Sequence, residues 1–281
     1  MAASIAAARG TAVRPARGRP CGLEMMMTLP PIDIAIPAIF AGPVRPLGPK
    51  AVPSAIDRQP VAGPVWLGPL GIVGDGRGDR RHHGGPEKAL HHYAFDHYPW
   101  WRQRLDADGP DAPPHLAKLL WHPGAFGENL TSAGLTEADI CIGDRFRLGQ
   151  TVIEVSQGRQ PCFRLNLRFG RPDMSRGVQT SHRTGWYYRV IRPGRIAPGD
   201  RLVLIARPQP LWPLARVLAV LNGRHPDPAA AMADLPQPEI STTDLKSLAA
   251  LPQMASSWRD LARKRLASGR IEDQRRRLDG A

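Results

Sequence analysis

The residue best placed for chemistry in this sequence is a cysteine that follows a short run of β-branched side chains. Residues 151–155 alternate in the manner of a half-buried strand, and Gly158 and Pro161 then interrupt the pattern. We therefore expect Cys162 to lie on a turn at the end of that strand, where functional residues tend to concentrate. Arg159 is close in sequence, and guanidinium groups favour the thiolate, which is the form that ligates metals or attacks electrophiles. The alternative is a buried cysteine that acts as a small apolar residue.

Composition limits the classes of protein to which the chain can belong. With 281 residues, 42% of them hydrophobic, it is long enough for one large domain and a small one. Its three cysteines (Cys21, Cys141 and Cys162) lack metal-finger spacing, so neither a disulfide framework nor a structural zinc site is indicated. We expect a reducing, cytoplasmic setting. No apolar run approaches the length of a membrane span, so we expect no membrane partner.

The formal net charge of +13 favours an acidic partner, such as nucleic acid, a membrane surface or a phosphate-bearing small molecule. The arginines are spread along the whole chain, and the aromatic interleaving that is typical of single-strand binders is absent. Nucleic acid is therefore the least favoured partner, and a small molecule is the most favoured.

Composition and the spacing of apolar residues divide the chain into three parts. Residues 1–40 begin with an Arg-rich, acid-free stretch and include three consecutive methionines at 25–27, so we expect them to be extrinsic to the fold, either disordered or ahead of the true start. Residues 44–207 alternate short apolar runs with Gly and Pro, which is typical of a closed or partly closed β-barrel. The predicted strands are 62–67, 145–148, 151–155, 186–191 and 202–205.

We predict one helix inside this β region, at residues 87–101. Pro86 suits the first turn of a helix, and apolar side chains recur at helical spacing from Ala89 to Trp101.

Beyond residue 210 the pattern becomes helical, which predicts a small C-terminal domain at 211–278. Its predicted helices are 213–221, 226–235, 244–251 and a last one from Ser256 to about residue 267. The basic run at 275–277 is expected to be solvated.

Four segments of the β region occur in an order that resembles the MOSC domain, the family named after the C-terminal region of molybdenum-cofactor sulfurase. They are Gly-Ile-Val-Gly-Asp at 71–75 with His-Gly-Gly-Pro-Glu-Lys-Ala-Leu at 83–90, Phe-Gly-Glu-Asn-Leu at 126–130, Ile-Gly-Asp at 142–144, and 156–162. The similarity is greatest to the YiiM-like branch, which carries a C-terminal helical segment. The resemblance implies a mainly β fold, a MOSC-type β-barrel with a few helices, followed by a small α-helical C-terminal domain.

The same resemblance implies a cleft for molybdenum cofactor, a pterin with a dithiolene and a phosphate, and a metal ligated by Cys162. It implies an oxidoreductase that reduces N-hydroxylated compounds, such as hydroxylaminopurine-type bases, hydroxylamines and amidoximes. No dinucleotide, haem or iron–sulfur motif is present, so electrons are expected from a separate reductase with flavin or iron–sulfur centres. Pyridoxal phosphate is not expected. The alternative is a sulfur- or cofactor-carrier protein that uses a Cys162 persulfide or thiolate without turning over substrate.

Residue chemistry and the resemblance together give a candidate site. Its catalytic residues are Cys162, also the metal ligand, and Asn129, whose amide offers both a donor and an acceptor. The candidate cofactor-binding residues are Arg58, His83, Gly84, Gly85, Glu128, Arg159 and Asn166.

The glycines beside His83 precede the predicted helix, whose N-terminus would favour a phosphate. The alternative is a loop that needs positive φ angles. His82, His91 and His92 lack the spacing of a zinc motif, so we do not expect histidine to bind a metal.

Overall fold

The computed structural model describes residues 32–79, 84–108, 113–222 and 242–280. The strands in these ranges are β1 (Asp33–Ala35), β2 (Ala38–Ala41), β3 (Arg45–Leu47), β4 (Val52–Ser54), β5 (Gln59–Pro60), β6 (Val65–Gly68), β7 (Gly71–Ile72), β8 (Leu90–Ala94), β9 (Leu130–Ser132), β10 (Arg145–Leu148), β11 (Thr151–Gly158), β12 (Trp186–Arg192), β13 (Gly194–Ile196) and β14 (Arg201–Ala206). The α-helices are α1 (Tyr98–Arg104), α2 (Pro114–Leu120), α3 (Arg164–Phe169), α4 (Met174–Thr180), α5 (Leu214–Asn222), α6 (Thr242–Ala250), α7 (Ser256–Ser268) and α8 (Arg275–Leu278).

A nine-stranded sheet dominates the fold, in the order β1-β14-β10-β11-β12-β8-β9-β2-β5. Strands β8 and β9 run parallel, whereas the other neighbouring strands of this sheet run antiparallel. The mainly β class predicted from the sequence is confirmed. Within the described ranges, the two end strands β1 and β5 do not pair with each other, so this sheet is not a closed barrel.

The first two strands correct the prediction that residues 1–40 are extrinsic to the fold. Asp33 pairs with Val203 across β1 and β14, and the side chains of Ile36 and Ile39 are fully buried. The short apolar run that starts at Ile32 therefore contributes to the sheet and the core. Residues 1–31 lie outside the described part of the chain.

The predicted helix at 87–101 is wrong over most of its length. The structure has a short 3-10 turn at Pro86–Lys88, then strand β8, a second 3-10 turn at Phe95–His97, and helix α1 only from Tyr98. All five residues of β8 are buried, because the strand lies between β12 and β9 and is covered on both faces. Such a strand loses the usual alternation of apolar and polar residues, so its pattern resembles that of a buried helix.

The C-terminal helices pack on the sheet that carries the candidate cysteine. Helices α5, α6 and α7 correspond to three of the four predicted helices, and the prediction at 226–235 lies outside the described residues. Trp258 of α7 belongs to the same buried cluster as Val155 of β11. A Cβ atom added at Gly158 would lie 2.8 Å from the Trp258 ring, so only glycine permits this contact without a shift. None of the described helices has the length and hydropathy that a membrane crossing requires.

The basic run at 275–277 is not simply solvated. Arg277 donates hydrogen bonds to the backbone carbonyl of Pro161 and to the side chain of Gln179, and Leu278 is buried. The end of the described chain therefore lies against the loop that carries Cys162.

The contact between Trp258 and Gly158 predicts that Trp258→Ala destabilises the protein strongly. Removing an indole that is 2% exposed leaves a cavity, and we expect the free energy of unfolding to fall by about 3–5 kcal/mol. Chemical denaturation followed by circular dichroism measures the change. The matched control is Trp66→Ala on β6, where the side chain is 48% exposed and the expected loss is below about 1 kcal/mol. Equal losses in the two variants would contradict the packing described here.

Candidate functional site

Cys162 lies in the loop that joins β11 to α3. The ladder between β11 and β12 ends at the pair Gly158–Trp186, and the chain leaves the sheet with one further bond from the Arg159 amide to the Gly185 carbonyl, 3.0 Å long. Pro161 then turns the chain, and Cys162 precedes the first turn of α3 with 8% of its surface exposed. The loop position agrees with the Gly/Pro pattern of the sequence.

Cys162 opens onto a pocket with about 620 Å³ of space, part of it open to solvent. Its walls come from the segment after β4, the loop after β7, the start of β8, the turn before β9, and the β11–α3 loop. Five cationic side chains line it (Arg58, Arg77, Lys88, Arg159 and Arg164) together with two carboxylates (Asp75 and Asp79). The excess of positive charge makes the pocket suited to an anion.

The pocket wall depends on an ion pair between Arg58 and Asp75. The guanidinium is bidentate: Nη2 donates to Oδ2 at 2.8 Å and Nε donates to Oδ1 at 2.9 Å. Its Nη1 donates to the carbonyl of Gly127 at 2.5 Å. The Gly127 backbone has φ of +72°, and a Cβ there would lie 2.7 Å from the Ile56 side chain, so this turn requires glycine. Arg58 therefore joins two walls of the pocket.

Asn129 also lines the pocket, but its side chain already bonds to the protein. Its Nδ2 donates to the Phe40 carbonyl and to Oδ2 of Asp75, both at 3.0 Å, and its Oδ1 accepts from the His91 amide at 3.1 Å. These bonds leave the amide little capacity for a ligand, and they make Asn129 a brace for Asp75 and β8.

Arg159 is the least compensated charge in the pocket. Its side chain is only 7% exposed, its Nη1 has no hydrogen-bond partner, and no carboxylate pairs with it among the described residues. A buried guanidinium nitrogen without a hydrogen-bond partner is costly, because it has lost its hydration. An anionic group bound in the pocket beside Cys162 would remove that cost.

Burial shifts the pKa of three further titratable groups in the wall. It lowers the pKa of His91 well below its usual value, and the charge of Arg159 adds to this, so the imidazole is neutral. Burial raises the pKa of Tyr187, so the phenol keeps its proton. Burial also lowers the pKa of Lys88, against the opposing effect of Glu87 and Asp79.

The structure does not bring every predicted site residue to the pocket. Glu128 is fully buried and caps its own turn, with Oε1 accepting from the Gly124 amide at 2.7 Å and Oε2 from the Phe126 amide at 3.0 Å. Asn166 binds the C-terminal end of the chain, donating to the Leu278 carbonyl at 2.8 Å. Both therefore have structural roles, because backbone amides and carbonyls already use their polar atoms.

The proposed anion site at the glycine pair is also corrected. Gly84 and Gly85 are not part of the pocket lining among the described residues, and the chain after Gly85 forms a 3-10 turn of three residues rather than a helix with a developed dipole. Gly85 does adopt a positive φ of +102°, which agrees with the alternative of a strained loop. His83 lies outside the described residues.

The sequence prediction did not assign eight polar residues of the pocket to the site: Ser54, Asp75, Arg77, Asp79, Lys88, His91, Arg164 and Tyr187. Two of them stand inside the motif segments, Asp75 at the end of 71–75 and Lys88 within 83–90, so their position in the motifs was an available signal. The spacing of His91 from the other histidines fits no zinc motif, and no group of metal-binding histidines, cysteines and carboxylates occurs in the described residues.

Comparison with known proteins gives two family matches. The MOSC domain matches residues 79–203, and the YiiM-like, 3-alpha helix domain matches residues 238–269. Protein YiiM of Escherichia coli (strain K12) is 35% identical over 250 residues, which are 89% of this chain and 98% of that protein.

Two further comparisons concern a fungal protein and a solved structure. A protein of Gibberella moniliformis named "Reductase" is 36% identical over 218 residues, which are 77% of this chain but 34% of that protein. The crystal structure of YiiM from Escherichia coli is similar, with a TM-score of 0.64 and 31% identity over 84% of this chain and 98% of that one.

The Arg58–Asp75 pair predicts a large loss of stability in Arg58→Met. Asp75 is almost fully buried, and removal of its cation leaves a desolvated carboxylate, which we expect to cost about 3 kcal/mol of unfolding free energy. The matched control is Arg201→Met, which breaks an equally short pair with Asp33 whose side chains are more than half exposed, and its expected cost is below about 1 kcal/mol. Similar losses in urea denaturation would contradict the role assigned to Asp75.

The buried imidazole of His92, next to His91 on β8, predicts a dependence of stability on pH. Burial lowers its pKa to about 3, and the ring bonds to Ser132 Oγ at 2.8 Å and to the Tyr188 hydroxyl at 3.1 Å. Between about pH 6.5 and pH 3 the unfolded chain binds a proton that the folded chain does not. The unfolding free energy should therefore fall with falling pH, by up to about 1.4 kcal/mol per pH unit from this group.

Urea denaturation of His92→Gln at several pH values measures this contribution as a smaller slope than in the wild type. His122→Gln is the control, because His122 is exposed and its loss should leave the slope unchanged. If the unfolding free energy depends on pH with the same slope in His92→Gln and in the wild type, His92 is not the source of the pH dependence.

Proposed function

Because the chain belongs to the MOSC family and carries the helical domain of its YiiM-like branch, we propose that it is a molybdenum-cofactor-dependent oxidoreductase. Its proposed substrates are N-hydroxylated compounds, among them hydroxylaminopurine-type bases, hydroxylamines and amidoximes. MOSC proteins are often oxidoreductases, and a relative named "Reductase" supports this class.

The observation that carries the proposal is the buried guanidinium of Arg159, whose Nη1 has no hydrogen-bond partner, in a cationic pocket that Cys162 also lines. A phosphate-bearing pterin would supply the missing negative charge. A soft metal would accept the Cys162 thiolate, and further ligands would have to come from the dithiolene, because no cluster of protein metal ligands occurs among the described residues. The residues present therefore fit the group.

Five residues of the pocket have a role in this proposal. Cys162 would ligate the metal, Arg159 would bind the anionic part of the cofactor, and Arg58 would keep the two walls at the right distance. When bound, the cofactor supplies the two-electron chemistry that breaks an N–O bond, with two protons taken up and water released. Tyr187 keeps its phenolic proton and His91 stays neutral, so both can hydrogen-bond to a substrate without adding charge.

We propose that the electrons come from a separate reductase with flavin or iron–sulfur centres. The region similar to this chain makes up 34% of the fungal relative named "Reductase", so most of that protein is additional sequence. We also propose a cytoplasmic setting, because Cys141 and Cys162 form no disulfide in the part of the chain that the structure describes.

If Cys162 is the metal ligand, the substitution Cys162→Ser should reduce the amount of bound molybdenum. The protein purified from a host that makes the cofactor should contain nearly stoichiometric molybdenum and pterin. The molybdenum content of the serine variant should be at least about tenfold lower, since a neutral hydroxyl is a poorer metal ligand than a thiolate. Elemental analysis and pterin fluorescence measure the two contents. Cys141→Ser is the control, because burial raises the pKa of that thiol to about 12 and it lies outside the pocket.

Molybdenum in the wild type and in Cys141→Ser, but not in Cys162→Ser, would support the proposal and justify assays with N-hydroxylated substrates and an added reductase. Wild-type protein without molybdenum would contradict it. Persulfide on Cys162 in that metal-free protein would instead support the sulfur-carrier alternative.

A further inference from the structure

The loop that carries Cys162 is held by the last described residues of the chain, which we call the C-terminal clamp (residues 275–280). Arg277 bonds to both neighbours of the cysteine. Its Nη1 donates to the Pro161 carbonyl at 2.5 Å, and its backbone carbonyl accepts from the Phe163 amide at 2.8 Å. One residue of the clamp therefore brackets Cys162 from both sides.

The guanidinium of Arg277 is itself fixed by neutral acceptors. Its Nη2 donates to Oε1 of Gln179 at 2.6 Å and to Oε1 of Gln274 at 3.1 Å. No carboxylate pairs with Arg277 among the described residues, so its position is set by hydrogen bonds and not by a surface ion pair.

The rest of the clamp is fastened to the two helices that come after the loop. The Leu278 carbonyl accepts from Nδ2 of Asn166 on α3 at 2.8 Å and from Oγ of Ser175 on α4 at 2.7 Å. Arg176 of α4 pairs with Asp279 at 2.6 Å. The clamp is therefore anchored independently of the contacts that Arg277 makes to the cysteine loop.

Within the described chain, the loop has few other backbone bonds that could fix it. Pro161 has no amide proton, and the backbone bonds that end the loop run from the Arg159 amide to Gly185 and from the Leu165 amide to the Cys162 carbonyl. Between these two bonds, Arg277 holds the backbone at Pro161 and at Phe163.

We propose that Arg277 is a positioning residue, which fixes the Cys162 loop so that the thiol faces the pocket. The inference goes beyond the proposed function, because it concerns the position of the thiol and holds for whichever group the thiol binds. It gives the C-terminal end of the chain a direct part in the site.

Hydrogen–deuterium exchange of the full-length, cofactor-free protein tests the proposal, with mass spectrometry of the peptide that spans residues 159–166. In Arg277→Gln we expect amide exchange in this peptide to be at least about tenfold faster, since the variant loses the bond to Pro161 and the loop opens locally more often. Arg277→Lys keeps one donor for the Pro161 carbonyl but loses the forked geometry. The exchange rate of the peptide in this variant should therefore lie between the rates in the wild type and in Arg277→Gln.

The matched control is Arg276→Gln, which removes the same charge from the neighbouring, exposed residue and should exchange like the wild type. A second variant, Gln179→Ala, removes one acceptor of the guanidinium without touching the loop, and a smaller acceleration is expected there.

Wild-type exchange at 159–166 in Arg277→Gln would overturn the proposal. An equal acceleration in β11 and α7 would also overturn it, because Arg277 would then stabilise the whole fold rather than the loop. The test needs no cofactor. The exchange data can therefore support the positioning role of Arg277 even when the protein binds no molybdenum, and they can contradict that role when molybdenum is bound.

Discussion

The pocket depends on one buried carboxylate. Oδ1 of Asp75 accepts from the Gly42 amide at the end of β2 and from Arg58, and Oδ2 accepts from Arg58 and from Asn129. These donors come from separate stretches of the chain, and Arg58 and Asn129 in turn fix the turn at Gly127 and the start of β8. Because a buried charge is stable only when its partners are in place, the ion pair fixes the distance between the walls.

The pocket that gives Asp75 a cation leaves Arg159 without a carboxylate partner among the described residues. The two arginines differ in their surroundings, since Arg58 has a bidentate carboxylate whereas Arg159 lies buried beside Cys162 without one among the described residues. Unsatisfied polar groups are rare in a folded interior, and a bound ligand is one explanation for such a group. Arg58, which pairs with Asp75, and Arg159, to which we assign the bound anion, thus lie on different walls of one pocket.

Local pattern predicted the parts of the site that local sequence controls. The alternation at 151–155 and the break at Gly158 and Pro161 were enough to place Cys162 in a loop at a strand end. They could not reveal Asp75 and Arg58 as partners, because such a pairing depends on how β-strands distant in sequence come together. Helix 87–101 failed for a related reason, since a strand buried on both faces has no alternation to read.

A polar residue in a motif can bond to the backbone as well as to a ligand, as Glu128 and Asn166 show. Both residues were expected at the cofactor, and both instead satisfy backbone groups of turns and chain ends. No sequence signal separates these uses, because the deciding factor is which polar atoms the fold leaves without a partner. Among the residues that line the pocket, Arg159 and His91 meet that criterion, and Arg159 is the charged one of the two.

The C-terminal segment is part of the framework of the site rather than an appendage. At one end of β11, Glu87 accepts from the amide and hydroxyl of Ser256 at the start of α7, while Trp258 fills the space that Gly158 leaves. Beyond the other end of the cysteine loop, the clamp binds both neighbours of Cys162. Since the strand and the loop are held by residues that lie far away in the sequence, the geometry of the thiol is set only once the C-terminal helices have packed.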